Sequence, residues 1–252
     1  MVWPHLKSLT VVGGNALLQE ALVGIVTLTS LHHGKSLQHI DLSFSYRDEG
    51  VSLITKEPMD EIAKLGGIPL PPDISAVSRP NSYDAIQSVR LYGIPLNPAM
   101  AREMFEHAIV AEKLHTMDIV FPLDVLNSTM GSSSIAYLTG YGWLKGAATI
   151  RTMGVTRFRF RSYPRNEDDL PLPAFLASFP NLEELEVGSA YYEEAELCMV
   201  IEAIIKVTKL KVLYQSQIRG AMMDQLMALG ERHGVKMIWG ERPRPWPVVL
   251  GG

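Results

Sequence analysis

The chain is poor in cysteine, since Cys198 is the only one among its 252 residues. One cysteine cannot form an intramolecular disulfide, and it cannot complete a four-cysteine zinc site. This excludes the disulfide-rich secreted scaffolds and predicts a reducing compartment, cytoplasmic or nuclear. Cys198 lies beside the apolar stripe of a predicted helix, which favours a packed thiol over a nucleophile.

Long apolar runs and a strong charge of one sign are also missing. The longest candidate run, residues 16–31, is interrupted by polar residues and a glycine, and it is shorter than the roughly 20 residues that span a bilayer. The formal net charge is only -4, so no general field attracts nucleic acid or an anionic membrane. The first residues lack the basic start and apolar core of a secretory signal. We therefore predict neither a membrane nor a nucleic acid as partner.

The short motifs that identify many enzymes are absent as well. There is no Gly-x-Ser-x-Gly elbow, no Gly-x-x-x-x-Gly-Lys loop, no Gly-x-Gly-x-x-Gly turn and no His-Glu-x-x-His pair. We assign no catalytic residue, no metal ligand and no cofactor from the sequence. Separate strands can still bring acids and bases together without a motif, so a small-molecule enzyme or ligand-binding protein stays open as the alternative.

What the chain does contain is a short pattern that recurs about eight times: apolar, two residues, apolar, one residue, apolar. Its first positions fall at 6, 37, 86, 114, 155, 182, 210 and 235. Each copy is typical of a short strand that is entered by a bend and whose alternate residues point inward. Between copies, apolar residues recur at helical spacing, most clearly over 190–207 and 220–233, and helices are also expected near 15–30, 97–112 and 134–145.

Strands that alternate with helices at this short period predict a parallel sheet. A doubly wound sheet carries helices on both sides, so its strands are apolar on both sides. Here the intervening strand positions are polar, which predicts one uncovered side. We therefore predict an α/β leucine-rich-repeat-like solenoid with a curved parallel sheet and helices on the convex side. Residues 1–252 would form one such domain, with insertions near 66–81 and 127–146 that are surface loops or fold toward the open side.

The middle exposed positions of the predicted strands form one row: Thr10, Asp41, Arg90, Asp118, Arg159, Glu186 and Tyr214. Their charges alternate from Asp41 to Glu186. The row is either a set of exposed ion pairs that keeps the face soluble, each worth well under ~1 kcal/mol, or the centre of a binding surface.

Three arginines favour the binding surface. Arg157, Arg159 and Arg161 alternate with phenylalanines, so we expect their guanidinium groups on one face, in excess of the neighbouring carboxylates. Because the arginine fork matches carboxylates and phosphates, the excess predicts an acidic protein partner. Apolar area beside these charges is expected from three aromatic residues: Tyr92, Tyr214 and Trp239. Such aromatics equally pack at the shoulder of a solenoid.

The end of the repeat region carries a family resemblance. Residues 235–247 read Val-Lys-Met-Ile-Trp-Gly-Glu-Arg-Pro-Arg-Pro-Trp-Pro and are similar to the closing segment of fungal F-box-like proteins with degenerate leucine-rich repeats. The strand entries at residues 3–9 and 179–185 also look like those of that family. No F-box pattern is seen near the first residue.

In that family the F-box joins the ubiquitin-ligase scaffold, and the repeats bind the protein to be modified. The resemblance therefore implies a protein-binding module, the substrate-recognition region of an F-box ubiquitin-ligase receptor. The ligase scaffold is expected as a partner only if an F-box lies upstream.

Overall fold

The computed structural model describes residues 6–13, 35–44, 83–122, 132–159, 170–189 and 194–243. These residues form an α/β structure with one eight-stranded sheet. All seven strand pairs are parallel, and the strand order is the chain order. A doubly wound sheet reverses its order at a switch point. The described strands contain no such reversal.

The strands are short, as the pattern predicted. They are β1 Ser8–Gly13, β2 His39–Phe44, β3 Ser88–Tyr92, β4 Thr116–Val120, β5 Thr152–Phe158, β6 Glu184–Ser189, β7 Val212–Gln215 and β8 Lys236–Trp239. The residue before each of the strands β1 to β7 continues the ladder through its carbonyl. Lys211, for example, comes just before β7, and its carbonyl accepts from the Lys236 N–H at 2.7 Å.

The core lies along the inward-facing side of this sheet. Alternate strand residues are buried there: Ile40, Leu42, Val89, Leu91, Met117, Ile119, Met153, Val155, Leu185, Val187, Leu213 and Met237. Each such side chain contributes about 1.5–3 kcal/mol by leaving water. The first apolar position of the pattern is also buried in six copies: Leu37, Ile86, Leu114, Leu182, Leu210 and Val235.

The fifth copy of the pattern was placed wrongly. β5 contains Met153 and Val155 in the inward positions and is preceded by buried Ile150, so the true copy begins at 150 and not at 155. The next apolar residue, Phe158, follows a register shift in which Arg157 adopts a φ of 62°. A bulge inserts one extra residue and changes the alternation of side chains. The predicted copy, Val155-Phe158-Phe160, has the spacing of the pattern in the sequence, but it starts at the last inward residue of the true copy, Ile150-Met153-Val155.

Five α-helices are described: α1 Pro98–Val110, α2 Ser132–Gly140, α3 Pro171–Ala177, α4 Glu194–Val207 and α5 Gly220–His233. The predicted helices near 97–112 and over 220–233 are confirmed. The α1 helix begins after Asn97, whose side chain accepts from the Ala99 N–H at 2.9 Å, with Pro98 at the first helical position. The α5 helix ends at Gly234, which takes a left-handed φ of 72°.

The second insertion is partly core. Within residues 127–146 the structure describes α2, which leads into a 3-10 helix, Tyr141–Leu144, and Tyr141 and Leu144 are fully buried. The hydroxyls of Tyr137 and Tyr141 both donate to the Leu96 carbonyl, at 2.6 and 2.7 Å. This part is therefore neither a surface loop nor a cover for the polar side of the sheet. The insertion at 66–81 and the helix expected at 15–30 lie outside the described residues.

None of the described helices combines the length and the apolar character needed to cross a bilayer. The short helix α3 was not predicted, although Pro171 at its first position is a common start signal.

Candidate functional site

Four charged side chains meet on the side of the sheet opposite the core, which we call the polar face. They are Asp41 on β2, Arg90 on β3, Asp118 on β4 and Glu186 on β6. Asp41 pairs with Arg90 in the ladder, and Gly154 of β5 pairs with both Asp118 and Glu186. Paired positions on adjacent strands are about 4.8 Å apart. The ladder thus gathers three carboxylates and one guanidinium.

This cluster is buried, although the sequence predicted an exposed row. Asp41, Arg90 and Asp118 are each less than a tenth exposed. The cover is the chain's own segment Glu241–Pro243, which follows β8 and which we call the C-terminal strap. The Arg90 guanidinium donates to the strap carbonyls of Pro243 at 2.9 Å and of Arg242 at 3.4 Å. The strap is therefore held by its main chain as well as by its side chains.

The side chain of Arg242 fills the centre of the polar face. It is 3% exposed, and its Nη2 donates to Asp118 Oδ1 at 2.7 Å. Its Nε lies 3.8 Å from Glu186 Oε2. The other carboxylate oxygen of Asp118 accepts from the Leu91 N–H at 3.1 Å. Asp118 thus joins β3, β4 and the strap, and removing it would leave buried donors without an acceptor.

A glycine makes room for this arrangement. A Cβ on Gly154 would lie 2.6 Å from Asp118 Oδ1 and 2.9 Å from its Cγ. Any larger residue on β5 at this point would displace the carboxylate from Arg242. Gly154 stands in the row where Arg159 was predicted, and its lack of a side chain is a structural requirement of the ion pair.

Burial also changes the acidity of Glu186 and of Tyr92. Burial raises the pKa of Glu186, and Asp118 adds to the effect, while Arg242 and Arg90 act in the opposite direction. Burial likewise raises the pKa of Tyr92, and the nearby Glu241 carboxylate, which accepts from the Tyr92 hydroxyl at 3.1 Å, raises it further. Glu186 therefore keeps its proton to a higher pH than an exposed glutamate does.

A pocket of about 210 Å³ lies next to the strap, at the carboxyl ends of β5, β6 and β7. Tyr92, Arg157, Glu186, Gly188 and Glu241 contribute to its wall. The side-chain amide of Gln217 shapes one side, because it accepts from the Ser189 N–H at 2.6 Å and donates to the Ser189 carbonyl at 2.8 Å. A smaller cavity of about 20 Å³ lies among the charges under the strap, large enough for one water molecule.

Several predicted site residues do come together. Asp41, Arg90 and Asp118 form the buried cluster described above, together with Glu186, whose side chain is 14% exposed. Tyr214 lies opposite Glu186 in the ladder and is 8% exposed, so it packs against the cluster and offers little surface.

The other predicted site residues do not join the row. Arg159 follows the end of β5, and the residue of β5 that lies opposite Asp118 is Gly154. The prediction that Arg159 is the neighbour of Asp118 in the row is therefore wrong. Arg157 sits in the bulge, where its Nη1 donates to the Gly93 carbonyl at 3.1 Å. Arg161 lies outside the described residues. Trp239 is two residues after Met237 in β8, so it lies on the same side of the sheet as Met237, away from the polar face. The Arg219 guanidinium lies 5.3 Å from the centre of its ring.

Sequence reasoning missed Gly154, Glu241 and Arg242. Arg242 left a faint signal. With the correct register, the row contains three carboxylates and one arginine, and such an excess of buried charge needs another cation. Arg242, in the segment Glu241-Arg242-Pro243 that follows β8, supplies that cation.

Comparison with known proteins does not assign the chain to a family. No family model matches this chain, and no curated protein matches it. Among the described ranges, no group of three or more histidine, cysteine, aspartate or glutamate side chains is arranged to hold a metal ion.

Proposed function

We propose that this chain is a protein-binding module built as a leucine-rich-repeat-like solenoid, with the polar face as the concave side. The observation that carries the proposal is the strand order: eight parallel strands follow one another in chain order, each paired with the next. Repeating strand–helix units that stack only on their neighbours form an extended concave surface, which solenoid proteins use for binding.

We further propose that the module is the substrate-recognition region of an F-box ubiquitin-ligase receptor. Support comes from the resemblance of residues 235–247 to the closing segment of fungal F-box-like proteins. The strap, Glu241–Pro243, belongs to this same segment and contacts the centre of the polar face. The resembling segment therefore takes part in forming the proposed recognition surface.

The contact surface in this proposal is the rim around the strap and the 210 Å³ pocket. Tyr92 is 37% exposed there and presents an aromatic ring beside the Glu241 carboxylate. Exposed aromatic side chains next to charges are frequent energetic centres of protein interfaces. Gly188 lines the same pocket, and its missing side chain leaves room for part of a partner.

The proposal is tested by filling that pocket. A Cβ on Gly188 would meet its nearest atom, Thr156 Cγ2, at 3.5 Å, which is ordinary contact, so Gly188→Phe introduces its first side-chain atom without a clash. The matched control is Gly142→Phe, because nothing lies within 4 Å of a Cβ there. Affinity capture from extract, scored by mass spectrometry, should lose its specific partner with Gly188→Phe and keep it with Gly142→Phe. Unchanged recovery with Gly188→Phe would refute the proposed contact surface.

One observation favours a second function, a ligand-binding protein or enzyme for a small molecule. The pocket holds Glu186, whose pKa is raised by burial, next to the hydrogen-bonded pair of Tyr92 and Glu241. A pocket with a desolvated acid is the usual setting for acid–base chemistry. Native mass spectrometry of the purified chain should then detect a small bound molecule that Gly188→Phe excludes and Gly142→Phe retains.

A further inference from the structure

We infer that the polar face recognises an extended, arginine-bearing segment of its protein partner, and that the C-terminal strap occupies this position until the partner takes its place. The inference rests on the proposed protein-binding function, and it names the chemistry of the partner.

The main-chain contacts of the strap are of a kind that any extended peptide can make. Arg90 binds two successive carbonyls, those of Arg242 and Pro243, through separate guanidinium nitrogens. Carbonyl recognition does not depend on side chains, so a second peptide segment can accept the same two hydrogen bonds. Arg90 therefore supplies affinity without specificity.

Specificity comes from the position that Arg242 fills. Asp118 Oδ1 accepts from its Nη2 at 2.7 Å, and Glu186 lies beside its Nε. A planar guanidinium offers several donors in fixed directions, whereas a lysine ammonium offers one compact charge. The side chain is 3% exposed, and its one hydrogen bond runs from Nη2 to Asp118, while Nε and Nη1 have no hydrogen-bond partner among the described residues. This position therefore selects a buried cationic side chain chiefly by its charge.

The charge of the sheet makes a cation necessary. Within the described strands, Asp41, Asp118 and Glu186 lie together with one arginine, Arg90. Buried carboxylates in such excess are costly unless a cation approaches them or one of them takes up a proton. A partner that displaces the strap must therefore supply the cation that Arg242 supplies now.

The same charges weaken the case for an acidic partner. That prediction depended on three arginines projecting together from one strand, but Arg157 lies in a bulge and β5 ends at Phe158. Glu186, one of the carboxylates of this cluster, also lines the adjoining pocket. A basic segment is the better match, because charge complementarity also guides encounter and orientation.

The strap is tethered, so it competes at an effective concentration on the order of millimolar. A free peptide must overcome this competitor to bind. A strap without its arginine should compete poorly, and the face should then accept an arginine peptide from solution.

The experiment uses the chain's own sequence as the probe. A fluorescent peptide of residues 239–246, Trp-Gly-Glu-Arg-Pro-Arg-Pro-Trp, is titrated against the native chain and against Arg242→Ala, with anisotropy as the readout. The peptide should bind Arg242→Ala at least about tenfold more tightly than the native chain, because the tethered competitor is weakened. A peptide with both arginines changed to glutamine should lose about tenfold or more of that binding.

Circular dichroism checks that Arg242→Ala is folded, and Arg242→Lys replaces it if it is not. Arg242→Lys keeps the charge but loses the guanidinium group, so its affinity for the peptide should lie between those of the native chain and of Arg242→Ala.

Equal binding of the arginine and glutamine peptides, or equal binding by the native and variant chains, would overturn the inference. If Gly188→Phe abolishes partner capture while the peptide shows no arginine dependence, the proposed function stands and only the partner chemistry is wrong. If Gly188→Phe leaves capture unchanged, the contact surface of the proposed function is refuted, whatever the peptide result.

Discussion

The same sheet carries two groups of charges that differ in one respect, their exposure to water. At the entry of β5, β6 and β7, Glu183 lies 3.4 Å from Arg151 and 3.0 Å from Lys211. These side chains are between a third and two thirds exposed. In the middle of the sheet, Asp118 and Arg242 form a pair at 2.7 Å that is almost completely buried.

This difference changes what each group contributes. Exposed pairs are screened by water and salt, so each contributes between about 0 and 1 kcal/mol. A buried pair exchanges strong hydration for direct contacts, and breaking one side of it leaves an uncompensated charge. The interpretation of exposed ion pairs that only keep a surface soluble therefore applies to Arg151, Glu183 and Lys211. The central group instead fixes the strap to the sheet.

The sharpest test of this comparison is Asp118→Ala. It removes the acceptor of both Arg242 Nη2 and the Leu91 N–H, and we expect the free energy of unfolding to fall by about 3 kcal/mol. Chemical denaturation measures the change. A loss under about 1 kcal/mol would mean that the strap lifts off and Arg242 returns to water at little cost.

The second test crowds the buried pair without removing it. Gly154→Ala places a Cβ 2.6 Å from Asp118 Oδ1, so the carboxylate must move away from Arg242. We expect a loss of about 2 kcal/mol in the free energy of unfolding, as for other overpacked positions. Gly142→Ala is the control, since nothing lies within 4 Å of its Cβ. Equal behaviour of the two variants would contradict the close approach of Asp118 to β5.

The third test uses pH. Burial raises the pKa of Glu186, so the folded chain holds this proton at a pH where the unfolded chain has lost it. The stability of the native chain relative to Glu186→Gln should therefore be highest below the unfolded pKa of glutamate, and should fall as pH rises through the raised pKa of Glu186. Unfolding of both proteins over a pH series gives this difference. A difference that is constant, or that grows with pH, would show that Glu186 is not desolvated.

The smallest effect is expected at the exposed group. Glu183→Gln removes the contacts to Arg151 and Lys211, and the free energy of unfolding should change by less than about 0.5 kcal/mol. Salt should reduce even this change, because the pairs are open to solvent. Denaturation at low and high ionic strength checks both statements. A loss comparable with that of Asp118→Ala would remove the distinction between the two groups.

Local patterns predicted the sheet well. Seven of the eight copies coincide with strands, because alternating burial and the bend before each strand are properties of a few neighbouring residues. The error at β5 has a local cause too. The bulge at Arg157 changes the alternation of side chains, which the sequence does not show. Buried Phe158 after the bulge therefore still fitted the apolar spacing and shifted the predicted copy.

The candidate site was predicted in part. Asp41, Arg90, Asp118 and Glu186 lie together because regular ladder pairing follows from the strand pattern. Their burial was not predictable in this way, since the strap that covers them comes from a distant part of the chain: the bond from Arg90 to Pro243 joins residues 153 positions apart.

The amino-acid pattern alone determined that short strands alternate with helices, that one side of each strand is apolar, and that charges face the other side. These features depend on side-chain period and on local turns, which act within about ten residues. Only the tertiary structure decided that Glu241–Pro243 returns to the sheet, that Arg242 pairs with Asp118, and that Gly154 leaves the space for both. Such long-range contacts depend on shape and on total buried charge, and no local pattern encodes either.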